Sequence, residues 1–233
     1  FNSQRTMTEH YLDRLARIIN ENWNEPALTD FYLTEDGTAQ DTSRGNHYTY
    51  GEMYSEIVRV ADYLERLGLQ KGDHIAICGA NSAHWVIAYL AIASYQGVIV
   101  TILHTQSSED IVKQIDFSDA KVLFTDEDMW LELKKQSLPL IKHVISLENW
   151  EVLYGVEVQI SNQYLWDSIQ KVCFESGSLD DTAIICFTSG STGVPKGVML
   201  SNRNITNNIS NANYPLTSNK HYLSLVPYAH TGG

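Results

Sequence analysis

The feature that most constrains this chain is an alternation of short apolar runs with helical patterns between residues 74 and 147. The apolar runs have the length of buried strands, and the segments between them repeat apolar residues at helical spacing. We place strands at 74–78, 98–103, 121–125 and 143–147, and helices at 82–96, 108–117 and 129–136. Strands that alternate with helices form βαβ units around a parallel sheet. The sequence therefore predicts an α/β fold made of parallel-sheet βαβ units.

The segments on either side predict further elements. Residues 7–20 and 166–173 have helical patterns, and another helix begins after Thr49, which forms a capping box with Glu52. The region after residue 180 contains a second series of elements. We expect a strand at 183–187, a loop at 188–197, a strand at 198–200, a helix with Asn202 as its N-cap and a last strand at 222–226.

Composition excludes several classes of protein. The chain has 233 residues, of which 43% are hydrophobic, so it is typical of a globular protein rather than a disordered one. Its formal net charge of −12 argues against nucleic acid or an anionic membrane as the main partner. The three cysteines, Cys78, Cys173 and Cys186, are widely spaced and form no CxxC motif. We therefore expect buried, reduced thiols in a cytoplasmic protein, without disulfides or a zinc site.

The loop at 188–197 carries the chemistry of this sequence. Its ten residues hold four hydroxyl side chains, three glycines and one lysine directly after an apolar strand. Glycines let the backbone approach a ligand, and successive backbone N–H groups form a concavity that binds anions. A lysine adds a mobile positive charge that suits phosphate. We therefore predict a polyphosphate-binding loop that consists of Thr188, Ser189, Gly190, Ser191, Thr192, Gly193, Lys196 and Gly197.

Other loop motifs do not fit these residues. A Walker A loop ends in Gly-Lys-Ser or Gly-Lys-Thr and leads into a helix, whereas Lys196 lies between Pro195 and Gly197 and precedes a strand. A GxSxG nucleophile elbow needs glycine two residues before its serine, whereas the residue two positions before Ser191 is Ser189. The histidines form no HxH or HExxH pattern, so apart from His230 we expect them at the surface or satisfied in the core.

The loop resembles the phosphate-binding signature of the adenylate-forming superfamily, which comprises acyl-CoA synthetases, nonribosomal adenylation domains and luciferases. The similarity continues in the segments 49–53, 72–77, 85–91 and 197–204. Residues 83–88 and the stretch from 121 to 180 are most similar to bacterial long-chain fatty acyl-CoA synthetases. Two positions depart from that pattern, because Asn202 replaces a common histidine and no acidic residue follows His230. Both departures concern the length of the acyl chain.

The resemblance implies a two-step reaction that uses ATP, Mg²⁺ and coenzyme A. A fatty acid attacks the α-phosphorus of ATP and forms acyl-AMP, and the CoA thiol then takes the acyl group. Hydroxyls of the loop would bind the β- and γ-phosphates, with Thr188 as the contact for Mg²⁺ or its water. Lys196 would neutralise the departing pyrophosphate, and His230 would lie in the acyl or adenylate pocket. No catalytic residue is assigned within this chain.

The resemblance also sets an expectation for domain organisation. Members of the superfamily are longer, and their adenine-binding segment, Mg²⁺-binding glutamate, ribose-binding aspartate, hinge and catalytic C-terminal lysine all follow the loop. We therefore expect an N-terminal fragment that lacks the C-terminal domain and is inactive alone. Residues 1–6 are expected to be a remnant ahead of a natural start at Met7. Residues 7–180 would form the first α/β subdomain, and 181–233 the strands of the phosphate loop and the start of a second subdomain.

Several alternatives stay open at this point. The acid could instead be that of a medium-chain, short-chain or aryl-CoA ligase, or of an amino-acid adenylation domain. An alternative of another class is a non-catalytic nucleotide-binding or interaction module. For partners we expect a fatty acid or other carboxylate, ATP and CoA, and no nucleic acid. We also expect peripheral membrane contact of the longer protein, and a homo-oligomer, because an incomplete sheet would expose unpaired strands.

Overall fold

The computed structural model describes residues 8–37, 40–41, 43, 45–158, 172–188, 195–211 and 228–229. The chain begins with helix α1 (Tyr11–Glu21). Two small antiparallel strand pairs follow: β1 (Pro26–Thr29) with β4 (His47–Thr49), and β2 (Tyr32–Leu33) with β3 (Gln40–Asp41). The sequence patterns did not predict these four strands, because each has at most four residues and shows too little periodicity.

The main α/β region contains the predicted alternation. In chain order it comprises α2 (Tyr50–Arg66), β5 (His74–Cys78), α3 (Ala83–Ser94), β6 (Val98–Thr101), α4 (Ser108–Phe117), β7 (Val122–Thr125), α5 (Glu127–Leu133), β8 (His143–Ser146) and β9 (Val152–Tyr154). Beyond residues 159–171, which are not described, come β10 (Thr182–Thr188), β11 (Lys196–Ser201) and α6 (Asn202–Asn211). The predicted strand at 222–226 and most of the predicted helix at 166–173 lie outside the described residues.

A seven-stranded sheet has the order β11-β10-β6-β5-β7-β8-β9. The pairings from β10 through β6, β5 and β7 to β8 are all parallel, whereas β11 and β9 pair antiparallel at the two edges. The α/β fold with a parallel sheet is therefore confirmed. The chain continues from β5 to β6 on one side, and then from β6 to β7 on the other side of β5. The strand order thus reverses beside β5.

Helices cover both faces of this sheet. Ile75 and Ile77 of β5 pack with α2 and α3 on one face, whereas Ala76 and Cys78 pack with α4 and α5 on the other. Successive strand residues point to opposite faces, so β5 is apolar throughout because both of its faces are buried. Helix α3, between β5 and β6, lies on one face, and α4, between β6 and β7, lies on the other. The chain moves in opposite directions across the sheet in these two connections, so crossovers of the same hand place their helices on opposite faces.

The ends of three helices show how local chemistry sets element boundaries. The capping box at the start of α2 is confirmed, with both Thr49–Glu52 bonds present. Helix α1 begins later than predicted, because His10 is its N-cap and Nδ1 accepts from the Leu12 N–H at 3.1 Å. The predicted N-cap at Asn202 is wrong by one residue. Ser201 Oγ accepts from the Asn204 N–H at 3.3 Å, and Asn204 Oδ1 accepts from the Ser201 N–H at 2.9 Å.

The segment after residue 180 joins the same sheet as the preceding strands. Ile184, Ile185 and Cys186 of β10 pair in parallel with residues 99–101 of β6. A salt bridge of 2.8 Å between Arg203 and Asp180 lies at the start of this segment. In the described part of the chain, the pairing of β10 with β6 joins the segments on the two sides of residue 180. The predicted subdomain boundary near that residue stays a prediction.

The cysteines depart in part from the prediction. Cys78 and Cys186 are buried thiols, as predicted, but Cys173 is exposed. Cys173 precedes a partly buried phenylalanine, Phe174, so the apolar contact of this segment falls on the next residue. Among the residues that the structure describes, no helix is both long enough and apolar enough to cross a membrane.

Candidate functional site

The two ends of the predicted phosphate loop are held by the hairpin β10–β11. Thr188 pairs with Lys196 as the last residue pair of this ladder, and Phe187 pairs with Gly197. Directly opposed residues of an antiparallel pair point to the same face, with Cβ atoms about 5 Å apart. Thr188 and Lys196 are both exposed, so the hairpin brings a hydroxyl and an ammonium group together at the mouth of the loop. The predicted ligands Ser189, Gly190, Ser191, Thr192 and Gly193 lie outside the described residues.

The face of the sheet on which Thr188 and Lys196 lie follows from strand alternation. Ile184 packs with the core cluster that contains α3, whereas Ile185 packs with the cluster of α4 and α5. Because side chains alternate along a strand, Thr188 lies on the same face as Ile184. The paired hydroxyl and ammonium therefore lie on the α3 face of the sheet.

Gly197 lies within β11, directly after Lys196, and has a packing reason to be glycine. A Cβ added there would lie 3.2 Å from Ile185 Cγ2 and 3.7 Å from the rings of Phe117 and Phe187. Those two rings meet edge to face with centroids 6.2 Å apart. A side chain at Gly197 would therefore press on the packing beneath the hairpin.

The carboxyl ends of the parallel strands meet at one edge of the sheet, which includes Thr188 at the end of β10. Strand β10 is two strands from β5, which corresponds to about 10 Å. The turn 79–82 after β5 lies where the strand order reverses, and open α/β sheets bind ligands in the crevice outside the carboxyl ends at such a switch point. Thr188 and Lys196, the described ends of the loop, and this turn therefore lie at the edge where such sheets bind ligands.

A distant segment of the chain contacts this turn. The Tyr228 N–H donates to Asn81 Oδ1 at 2.8 Å, and the Tyr228 ring lies 5.3 Å from that of Trp85. Ala229 is buried in the same core cluster as α3. The predicted pocket residue His230 is the next residue and lies outside the described ones. The structure thus holds the two residues before His230 on the α3 side of the switch point.

An aspartate that the sequence patterns did not single out holds the same turn. Asp126 follows β7, and its Oδ2 accepts from the Ala80 N–H at 2.8 Å instead of capping α5. Burial raises the pKa of this carboxyl, although the Ala80 bond and the charge of His104 act against that shift. A Cβ at Gly79 would lie 3.0 Å from Asp126 Oδ1 and 2.5 Å from Leu147 Cδ1. The sequence feature that could have indicated Asp126 is an acidic residue directly after a buried strand.

His84, near the start of α3, is a satisfied core histidine. Its Nδ1 lies 2.6 Å from the Leu147 carbonyl oxygen, which can only accept, so Nδ1 carries the proton. In the neutral ring Nε2 then accepts from the Tyr48 hydroxyl at 2.8 Å. The imidazole also lies against Trp150, with ring centroids 4.4 Å apart. Burial lowers the pKa of His84, so the ring is neutral and structural.

Metal ligands are sparse in the described part of the chain. It contains no cluster of three or more His, Cys, Asp or Glu side chains that could hold a metal ion. The Thr188 hydroxyl is an oxygen ligand of the kind that Mg²⁺ accepts, but magnesium sites in proteins also use carboxylates and substrate phosphates. Thr188 is therefore compatible with a magnesium contact that a bound polyphosphate would complete.

The described residues also form a cavity of about 260 Å³ at the opposite edge of the sheet. Its lining includes Gly97, which precedes β6, and Thr182, which begins β10. Those residues lie at the amino ends of parallel strands. The cavity is therefore distinct from the predicted phosphate site.

Comparison with known proteins identifies the class of this fold and loop. Residues 18–233 match the sequence model of the family described as AMP-binding enzyme. The chain belongs to this family, which is part of the adenylate-forming superfamily that includes CoA ligases. The resemblance drawn from the loop is thereby confirmed.

Individual relatives differ in the acids that their names specify. The chain is 30% identical to 4-coumarate–CoA ligase 3 of Arabidopsis thaliana, over 81% of this chain and 34% of the relative. It is 28% identical to long chain acyl-CoA synthetase 3 of the same plant, over 78% of this chain and 30% of the relative. The chain thus spans about a third of the length of these curated relatives.

A solved structure shows the same fold. The anthranilate CoA ligase AuaEII, crystallised with anthranoyl-AMP, superimposes with a TM-score of 0.64 at 19% identity. The match covers 86% of this chain and 35% of that one. At this level of identity the likeness supports the architecture alone.

Proposed function

We propose that this chain is the phosphate-binding part of an AMP-forming acid–thiol ligase, which activates a carboxylic acid with ATP and passes the acyl group to CoA. The observation that carries the proposal is the hairpin β10–β11. It holds Thr188 and Lys196 side by side, at the edge of the sheet where α/β proteins bind ligands. Membership of the AMP-binding family supports the same reaction class.

The proposed reaction solves a problem of charge. A carboxylate is a poor electrophile, so its oxygen first attacks the α-phosphorus of ATP, the bond to the bridging oxygen breaks, and pyrophosphate leaves. The CoA thiol then attacks the acyl carbonyl and AMP leaves. In the first step Lys196 would neutralise the charge on pyrophosphate. The hydroxyls of Thr188, Ser189, Ser191 and Thr192 would bind the β- and γ-phosphates.

Two further roles belong to the proposal. Mg²⁺, when bound, would draw charge from the phosphates, and the Thr188 hydroxyl is its expected contact in this chain. His230 would lie beside the acyl carboxylate or adenylate. The anchoring of Tyr228 and Ala229 at the switch point supports that position.

For the acid we propose a long-chain fatty acid, because residues 83–88 and 121–180 resemble long-chain enzymes. The second candidate is an aryl acid, because the relative named 4-coumarate–CoA ligase is as similar to this chain as the long-chain relative. The two candidates share the chemistry at the loop. They differ in the pocket that holds the organic part of the acid.

The test is acid-dependent ATP–pyrophosphate exchange with acetate, benzoate, octanoate, palmitate and amino acids. We would assay a protein extended past residue 233 and this chain in parallel, and we expect exchange with palmitate by the longer form only. Lys196→Ala should reduce exchange by roughly 100-fold, in line with removal of one preorganised charge-stabilising group. Lys135→Ala is the matched control, since Lys135 follows α5, is exposed and pairs with Glu132 of that helix.

Each result has a definite reading. Exchange with benzoate instead of palmitate would replace the fatty acid by an aryl acid and keep the mechanism. Nucleotide binding without any exchange would favour a non-catalytic nucleotide-binding module. Near-normal exchange by the Lys196→Ala variant would refute the role assigned to the lysine.

A further inference from the structure

Asn81 lies in the turn at 79–82, and the backbone of this turn is held in place on both sides of that residue. On one side of Asn81, the Ala80 N–H donates to Asp126 Oδ2 at 2.8 Å. On the other side, Ser82 is the N-cap of α3, and its Oγ accepts from the Trp85 N–H at 3.1 Å. The Ala83 N–H also donates to Asp30 Oδ1, at 2.6 Å. The backbone on both sides of Asn81 is therefore held by the side chains of Asp126 and Asp30, from two other parts of the chain, and by the N-cap side chain of Ser82 in the turn itself.

The Asn81 carboxamide uses this rigid base to hold a segment 147 residues away. Its Oδ1 accepts from the Tyr228 N–H at 2.8 Å. The Tyr228 ring packs at 5.3 Å from Trp85, and Ala229 is only 9% exposed. One backbone hydrogen bond and two apolar contacts therefore fix the position and direction of the chain at Ala229. The ring contact supplies affinity, whereas the hydrogen bond fixes the backbone orientation.

We infer that Asn81 is a positioning residue for the acid half of the reaction: its carboxamide orients the backbone that leads into His230. This inference rests on the proposed function, which places His230 beside the acyl carboxylate or adenylate. Asn81 would act through the Tyr228 backbone and would not contact the reacting atoms itself. Thr188 and Lys196, at the two ends of the loop, are held separately by the β10–β11 hairpin. Loss of the Asn81 contact should therefore weaken use of the acid more than use of ATP.

Two substitutions separate the hydrogen bond from the shape of the side chain. Asn81→Leu keeps a similar volume but removes the acceptor, so the Tyr228 N–H loses its partner. Asn81→Asp keeps an oxygen acceptor at the position of Oδ1. Its negative charge lies just before the N-terminus of α3, where the helix dipole favours it. Asn208→Leu is the matched control, because Asn208 lies on the exposed side of α6.

The first measurement is hydrogen–deuterium exchange at the Tyr228 amide, in this chain and in the longer protein. One typical hydrogen bond corresponds to a change of roughly 2- to 12-fold in the opening equilibrium. We expect Asn81→Leu to lower protection of that amide by this factor, and Asn81→Asp to restore it. Unchanged exchange in α3 would show that the fold is intact. Equal protection in the wild type and Asn81→Leu would overturn the anchor.

The second measurement is the KM for the acid and for ATP in the exchange assay of the longer protein. We expect Asn81→Leu to raise the KM for the acid several-fold with little change for ATP, and Asn81→Asp to recover most of the loss. An equal rise in both values, or none in either, would overturn the positioning role while the proposed function stands. Absence of exchange in the wild type would instead refute the proposed function. It would refute the positioning role as well, and the amide measurement would still decide whether Asn81 anchors the segment.

Discussion

The substitution His84→Gln should flatten the loss of stability that this chain undergoes when the pH falls from 7 to 5. His84 is buried beside Trp150, with Nδ1 bonded to the Leu147 carbonyl and Nε2 to the Tyr48 hydroxyl. Protonation would place a second N–H on Nε2, toward a hydroxyl that now donates to it, and would put a charge in the core. Burial is the main cause that lowers the pKa of this imidazole.

The sign of the effect follows from proton linkage. A histidine in the unfolded chain has a pKa of about 6.5, and that of folded His84 is lower. Below pH 6.5 the unfolded state binds a proton that the folded state does not yet bind. Stability is therefore fully present above pH 6.5 and is lost as the pH falls toward the folded pKa. A single proton gives a limiting slope of about 1.4 kcal/mol per pH unit.

The assay is urea unfolding at several pH values between 5 and 7.5, with the free energy of unfolding extrapolated to water. At pH 7 the variant should be less stable by roughly 1–3 kcal/mol, because it leaves buried polar groups poorly paired. The gap between wild type and variant should then narrow as the pH falls. Lowered pKa values at His10 and His143 affect both proteins alike and cancel in this difference.

A matched control is Ile87→Val, which alters the same helix and core but changes no titratable group. Its stability curve should lie below that of the wild type and run parallel to it. If the curve of His84→Gln also ran parallel to the wild type between pH 7 and pH 5, the argument from a buried neutral imidazole would be wrong. A gap that widened on acidification would contradict it more strongly.

Two further predictions concern packing and thiol exposure. Gly51→Ala should destabilise the chain, because the new Cβ would lie 2.5 Å from Trp23 Cε2, and overpacking of about 1–3 kcal/mol outweighs a gain in helix propensity of about 1 kcal/mol. The urea midpoint should fall at unchanged slope, and an equal or higher midpoint would contradict this. In the folded chain only the exposed Cys173 should react rapidly with a thiol reagent, whereas burial protects Cys78 and Cys186 and raises their pKa values. Rapid reaction of more than one thiol per chain before denaturant is added would refute that reading.

Sequence patterns predicted those parts of the fold whose causes are local. The strand at 74–78 and the helix at 108–117 have their predicted bounds, because apolar periodicity and flanking caps act over a few residues. The N-cap of α6 was misplaced because Ser201 and Asn204 exchange two hydrogen bonds, which suit that end better than Asn202 does. Local signals compete at such boundaries, and geometry decides between them.

The candidate site was predictable only where it is continuous in sequence. The composition of residues 188–197 predicts the phosphate loop, whose role stays a prediction, and the flanking apolar runs predicted the two strands β10 and β11. The pairing of Asn81 with Tyr228 could not be predicted, since it joins residues 147 positions apart through a single backbone N–H. Asp126 was missed for a similar reason, because its partner is the backbone of Ala80 on another strand end.

The position of β10 in the sheet has a consequence for synthesis on the ribosome. Strands β5 to β8 and their helices are complete in sequence by residue 146, yet Ile99 of β6 pairs with Ile184, which is translated 85 residues later. Until then the nascent sheet has an unpaired apolar edge at β6, which is a template for association with other chains. Closing so long a loop is also slow relative to local contacts. Addition of β10 is thus expected to be a late folding event, and chains that expose β5 to β9 but not yet β10 should be the form most prone to aggregate.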